Sequence, residues 1–149
     1  MGGDRAPLGD AVSLPAVGSV LGPTDWVEIS QDRIDAFAAA TDDFQWIHVD
    51  RERAAAGPFG TTVAHGYLTL ALLPAFMGAV LGDEGVALTV NYGLNRVRFP
   101  APVPVGSRLR ARFELLAVDE VAGGVQVTLG ATVEREGGEK PVCVAELVY

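Results

Sequence analysis

Any chemistry in this chain centres on two histidines and the acids beside them. His48 lies in the run Asp42-Asp43-Phe44-Gln45-Trp46-Ile47-His48-Val49-Asp50, and His65 in Gly60-Thr61-Thr62-Val63-Ala64-His65-Gly66. Asp43 and His48 are five residues apart, so within a loop their side chains can converge on one small site. An imidazole titrates close to neutral pH and can take or give a proton there. A carboxylate beside it can orient a water and balance charge. Together the two can hold a water and divide its protons, which is general acid–base work. A loop with a satisfied histidine and solvated acids is the plainer reading of the spacing alone, because a lone Asp-x4-His pattern is not specific.

Gly66 adds a third element. It stands where an apolar helix should begin, and the first N–H groups of a helix have no intrahelical acceptor. With the helix dipole behind them they favour negative charge. Glycine also lets a ligand approach the backbone closely. Gly66 can therefore donate to a developing oxyanion, or it can simply ease a tight turn. His48, Asp50 and His65 could offer three ligands to zinc, but their spacing matches no familiar metal motif and no cysteine cluster supports it, so no metal is expected. Arg96 and Arg98, and then Arg108, Arg110 and Arg112, fall at every second position. Each run shows one face, either a solvated outer sheet surface or a landing site for phosphates at a ligand's tail.

The elements that must position these residues are legible from periodicity. Thr24 to Ile29 alternates and predicts a short strand. Ser30 then caps a helix over Gln31 to Ala40, with Ile34, Phe37 and Ala38 at helical spacing. Thr41 to Phe59 reads as a long ordered loop with one helical turn near Arg51 to Ala56. Gly66 to Leu81 is apolar on all sides, which predicts a helix wrapped by the rest of the protein, with Pro74 removing one bond or kinking it. The period then changes. Val86 to Phe99 reads as a long strand. Leu109 to Leu115 and Val125 to Val133 alternate apolar with polar residues, and Val142 to Val148 makes a last strand. Gly123-Gly124 and Gly137-Gly138 punctuate these runs as turns. Three or four strands in sequence become antiparallel neighbours with one buried face. An α+β architecture follows, an antiparallel sheet curled around one long central helix.

The chain has 149 residues, which fits one domain, and no apolar run reaches the ~18 uncharged residues of a membrane span. The domain is expected over 17–149, after a loose Gly- and Pro-containing lead-in over 1–16 that lacks the apolar stretch of a secretory signal. The single cysteine, Cys143, cannot form an internal disulfide and reads as a small buried hydrophobe, so a cytoplasmic protein is expected. The net charge of −8 disfavours general binding to nucleic acid, whose phosphates need a positive field.

At these residues the sequence resembles the MaoC-like dehydratases, also described as (R)-specific enoyl-CoA hydratases, of the hot-dog fold. The run from Asp43 to Asp50 resembles the family's Asp-x-Asn-x-x-His segment. Val63-Ala64-His65-Gly66 resembles its apolar pair and His-Gly step into the central helix, and Asn91 to Pro100 its following strand. The resemblance covers roughly Val17 to the C-terminus. It implies that Asp43 and His48 are the catalytic pair and the Gly66 N–H the oxyanion donor. Gln45 stands where many members have Asn and carries the same amide on a longer arm. Trp46 replaces a frequent proline. Gln45, Trp46, His65, Tyr67, Arg96 and Arg98 are the candidate substrate-binding residues, with His65 also read as structural. The implied substrate is an acyl thioester of coenzyme A or acyl carrier protein, with no cofactor beyond the coenzyme A of the substrate itself. A homodimer paired through its sheets is expected, with no nucleic-acid or membrane partner. Two other activities fit the same fold, an acyl-CoA thioesterase and a non-catalytic acyl-binding partner subunit, and the intact Asp43 and His48 argue against both.

Overall fold

A computed structural model describes residues 13–82 and 85–149. The lead-in anticipated over 1–16 lies outside the described residues as far as residue 12; from there Leu14 already packs against the core. Two short strands, β1 (Val20–Leu21) and β2 (Val27–Glu28), precede helix α1 (Gln31–Thr41). Ser30 caps α1 as its spacing predicts, accepting from the Arg33 N–H at 3.2 Å. The segment read as a loop carries two one-turn helices, α2 (Trp46–Val49) and α3 (Arg51–Ala55). The first was not legible because four residues are too few to show a period.

The apolar stretch is split into α4 (Gly66–Ala71) and α5 (Leu73–Leu81), which meet at Leu72. Pro74, in the first turn of α5, has no N–H to offer the preceding turn. The helix is not wrapped on all sides. Leu68, Thr69, Leu73 and Phe76 are buried, whereas Tyr67, Ala71, Pro74, Ala75, Gly78 and Ala79 are exposed. The sheet of one chain can cover only one side of a helix, and the opposite apolar side of this one faces outward.

Strands β3 (Gly93–Arg98), β4 (Arg108–Val121), β5 (Gly124–Arg135) and β6 (Cys143–Val148) complete an antiparallel sheet in the order β1-β4-β5-β6-β3, with β2 also pairing with β4. The two glycine turns join β4 to β5 and β5 to β6, and Gly123 and Gly137 take positive φ there. The alternating residues Leu109, Ala111, Phe113, Leu115, Leu129, Ala131 and Val133 form the buried face. Two expectations are corrected. Val86 to Phe99 is not one long strand: β3 begins only at Gly93, which pairs with Val148, the last residue of β6. β3 also does not lie beside β4; it crosses the sheet and pairs with β6. Cys143 is fully buried, and that burial pushes its thiol up to about 11, so it remains a protonated packing residue. Among the described residues, no helix is long and apolar enough to cross a membrane.

Candidate active site

The end of α1 aims Asp43. Asp42 closes the helix in the left-handed region (φ 58°), a conformation that Asp tolerates better than most residues, and this reverses the chain. Gln45 then opens α2, and its N–H lies 3.4 Å from Asp43 Oδ1. The single turn of α2 turns His48 inward, where it is 7% exposed. Asp50 is committed to capping α3, accepting from the Arg53 N–H at 3.0 Å. It therefore takes no part in a cluster with the histidines.

His48 is held from two sides. Its Nδ1 lies 2.6 Å from the carbonyl oxygen of Val63. A carbonyl only accepts, so Nδ1 carries the hydrogen and Nε2 keeps its lone pair. The ring also stacks on His65, with centroids 3.8 Å apart and planes inclined by 23°. His65 is 2% exposed, and its Nε2 donates to the main-chain oxygen of Asp43 at 3.0 Å. Its Nδ1 is buried without a hydrogen-bond partner. His65 thus ties the backbone of Asp43 to the ring of His48. One donor atom from each of Asp43, His48 and His65 lies within 4.8 Å of the others.

Burial lowers the pKa of His48. The Val63 carbonyl works against that shift, nearby His65 reinforces it, and Asp43 opposes it. His48 therefore rests neutral at neutral pH, with a free Nε2 beside a carboxylate.

A cavity of about 370 Å³ opens beside His48; Asp43 is not among the residues that line it. His48, Gly66, Thr69, Phe59, Phe99 and Val103 are among its lining residues. Gly66 is the first residue of α4, so its N–H has no intrahelical acceptor. A side chain at Gly66 would meet the Phe99 ring at 3.1 Å. Glycine there keeps the approach to that N–H open.

The other sequence candidates are more dispersed. Trp46 lies outside the cavity lining; it packs against Gly57 and carries the Arg53 guanidinium 4.4 Å above its ring. Tyr67 is 71% exposed and edge-on to Phe99. Arg96 and Arg98 are exposed on β3, and Arg98 Nη1 donates to the Val97 oxygen at 2.6 Å. Arg108 pairs with Glu136, and Arg110 and Arg112 with Glu134, beside Trp26 on the outer sheet face. Those three cations are engaged with carboxylates, which leaves the β3 pair as the candidates for phosphate. Sequence reasoning missed Gln31, Thr62 and Thr69, all buried near His48. The signal for Gln31 was a polar residue at the start of an amphipathic helix, on the side that faces the core.

A model of the MaoC-like domain matches residues 13–136. The chain is 58% identical over 134 residues to 3-hydroxyacyl-thioester dehydratase Z of Mycobacterium tuberculosis, an alignment covering 89% of each protein. It is 44% identical over 145 residues to nodulation protein N of Rhizobium meliloti, covering 95% of this chain and 88% of the relative. Among solved structures, the (R)-hydratase from A. caviae involved in PHA biosynthesis superposes with a TM-score of 0.76 at 27% identity, covering 93% of this chain and 97% of that one. With a matched domain spanning most of its length and such a relative aligned nearly end to end, this chain belongs to the MaoC-like family, and its architecture is the hot-dog fold.

Proposed function

We propose that this protein is a hydro-lyase that reversibly adds water to a trans-2-enoyl thioester, giving the (R)-3-hydroxyacyl thioester. The observation that carries this reading is the neutral, Nδ1-anchored His48, which has a ring nitrogen within 4.8 Å of an Asp43 carboxylate oxygen and lines the same cavity as Gly66. Its similarity to a 3-hydroxyacyl-thioester dehydratase and to an (R)-hydratase supports the same chemistry.

The thioester carbonyl oxygen is bound by the Gly66 N–H. That bond strengthens as enolate charge develops, so it favours the transition state over the ground state. Asp43 and His48 hold the water that attacks C3. The pair removes one proton from that water and returns one to C2, so the sum is the addition of H and OH. The reaction needs no cofactor; coenzyme A or a carrier protein enters as the handle of the substrate. Arg96 and Arg98, the exposed cations on β3, are assigned to phosphates of that handle.

The active form is proposed to be a homodimer in the cytoplasm. A second copy would cover the outward apolar side of α4 and α5 and the exposed Leu88, Val90, Tyr92 and Leu94 beside it in sequence. The deciding assay follows the conjugated-thioester absorbance of crotonyl-CoA and longer enoyl-CoAs, with chiral analysis of the product. Loss of absorbance without release of thiol, giving the (R) product, is expected. Thiol release would establish a thioesterase instead.

A further inference from the structure

Helix α1 reaches His48 through one buried amide. The Gln31 side chain is 7% exposed, and all its polar atoms are engaged. Its Nε2 donates to the main-chain oxygen of His48 at 2.8 Å and to Asp35 Oδ1 at 2.8 Å. Its Oε1 accepts from the hydroxyl of Thr62 at 2.6 Å. A main-chain carbonyl and a carboxylate can only accept, so the NH2 end must face them and the orientation of the amide is fixed.

Thr62 is 1% exposed and directly precedes Val63, whose carbonyl anchors His48 Nδ1. The segment is tied in further. The Val63 N–H donates to the Ile47 oxygen at 3.0 Å, and the Val105 N–H to the Thr62 oxygen at 2.9 Å. One side chain thus joins the backbone of the catalytic histidine to the strip that grips its ring.

We infer that Gln31 is a positioning residue for His48, acting with Thr62 to hold the Val63 carbonyl in register with Nδ1 and so to keep Nε2 unprotonated and aimed at the water. The role rests on the hydratase reading for its kinetic consequence, but not for its effect on the imidazole. Without the amide, the His48 carbonyl and the Thr62 hydroxyl lose their buried partners, and the two segments can shift against each other. Small misplacements of a catalytic group cost rate more than binding, so the loss belongs to kcat.

The test uses the full-length protein with Gln31→Met, which keeps length and removes the amide, and Gln31→Glu. A protonated Glu has one hydrogen to donate to the His48 carbonyl and can accept from Thr62, whereas an ionised one cannot donate and also faces the Asp35 carboxylate. For Gln31→Met, kcat for crotonyl-CoA hydration should fall by about ten- to a hundredfold, with KM little changed. For Gln31→Glu, the ratio of its kcat/KM to wild type should rise as the pH is lowered. Should Gln31→Met fail to fold, Thr62→Val decides in its place: it should lower kcat, and Thr62→Ser should restore it. In parallel, imidazole 15N spectra of the substrate-free proteins report the His48 tautomer. Wild type should show Nδ1 protonated, and the variants a mixed tautomer and a shifted titration. Wild-type protein inert towards enoyl thioesters would sink the hydratase reading while these spectra still test the brace. An unchanged His48 tautomer and titration in the folded variants, or a flat Glu-to-wild-type ratio with kcat within about twofold, overturns the inference.

Discussion

At the scale of single residues, the pair is asymmetric. Asp43 is exposed and His48 buried, so removing each has a different side effect. Asp43→Asn should lower kcat by about 10²–10⁴-fold, the usual span for a general acid–base group, with the melting temperature unchanged. His48→Ala should lower kcat similarly and also cost about 1–3 kcal/mol of stability, because the Val63 carbonyl loses its buried donor. Steady-state kinetics with thermal melts separates the two effects; wild-type-like rates in either variant would remove that residue from the mechanism. The pH dependence has a definite sign. Burial holds His48 below its ordinary value of 6.5, so the unfolded chain takes up the proton first as pH falls. The stability contributed by neutral His48 is complete above 6.5 and is lost as pH drops through its lowered folded value. The acid limb of kcat/KM should likewise lie below pH 6.5, and a limb above it would show that His48 is not held neutral. The types and spacing of Asp43, His48 and Gly66 were readable in sequence. The stacking of His65 on His48 was not, because it depends on bringing two segments 17 residues apart face to face.

At the scale of elements, α4 offers the sharpest test. Because a side chain at Gly66 meets Phe99, Gly66→Leu should push that half-exposed ring aside and narrow the cavity, raising KM by at least about tenfold while the sheet remains intact by circular dichroism. Unchanged kinetics would count against substrate approaching the helix start. The elements that sequence predicted well are those with long periods: α1 with its Ser30 cap, and β4 and β5 with their alternating buried face. It failed where an element depends on what lies alongside it. The apolar pattern of Val86 to Phe99 could not reveal that β6 ends at Val148, and the short α2 offers no period at all. The apolar stretch from Gly66 to Leu81 is helical as its composition predicts, but the outward side of α4 and α5 is not covered by the described residues of this chain.

At the scale of the whole molecule, that mismatch is itself informative. Leu88 is 78% exposed and Tyr92 79%, and among the described residues β3 is an edge of the sheet. If a second copy covers this side, the melting temperature should rise with protein concentration, and sedimentation should give twice the chain mass. A concentration-independent Tm with monomer mass would refute the homodimer. The two tryptophans, finally, sit in separate neighbourhoods: Trp26 beneath Arg110 on the outer sheet, Trp46 beneath Arg53 two residues from His48. Each is already a built-in optical probe. Replacing Trp26 by Phe leaves the emission of Trp46, whose neighbour Ile47 lines the cavity with His48; a change in that emission on adding an acyl thioester would report binding through α2, and the emission left by replacing Trp46 should stay silent.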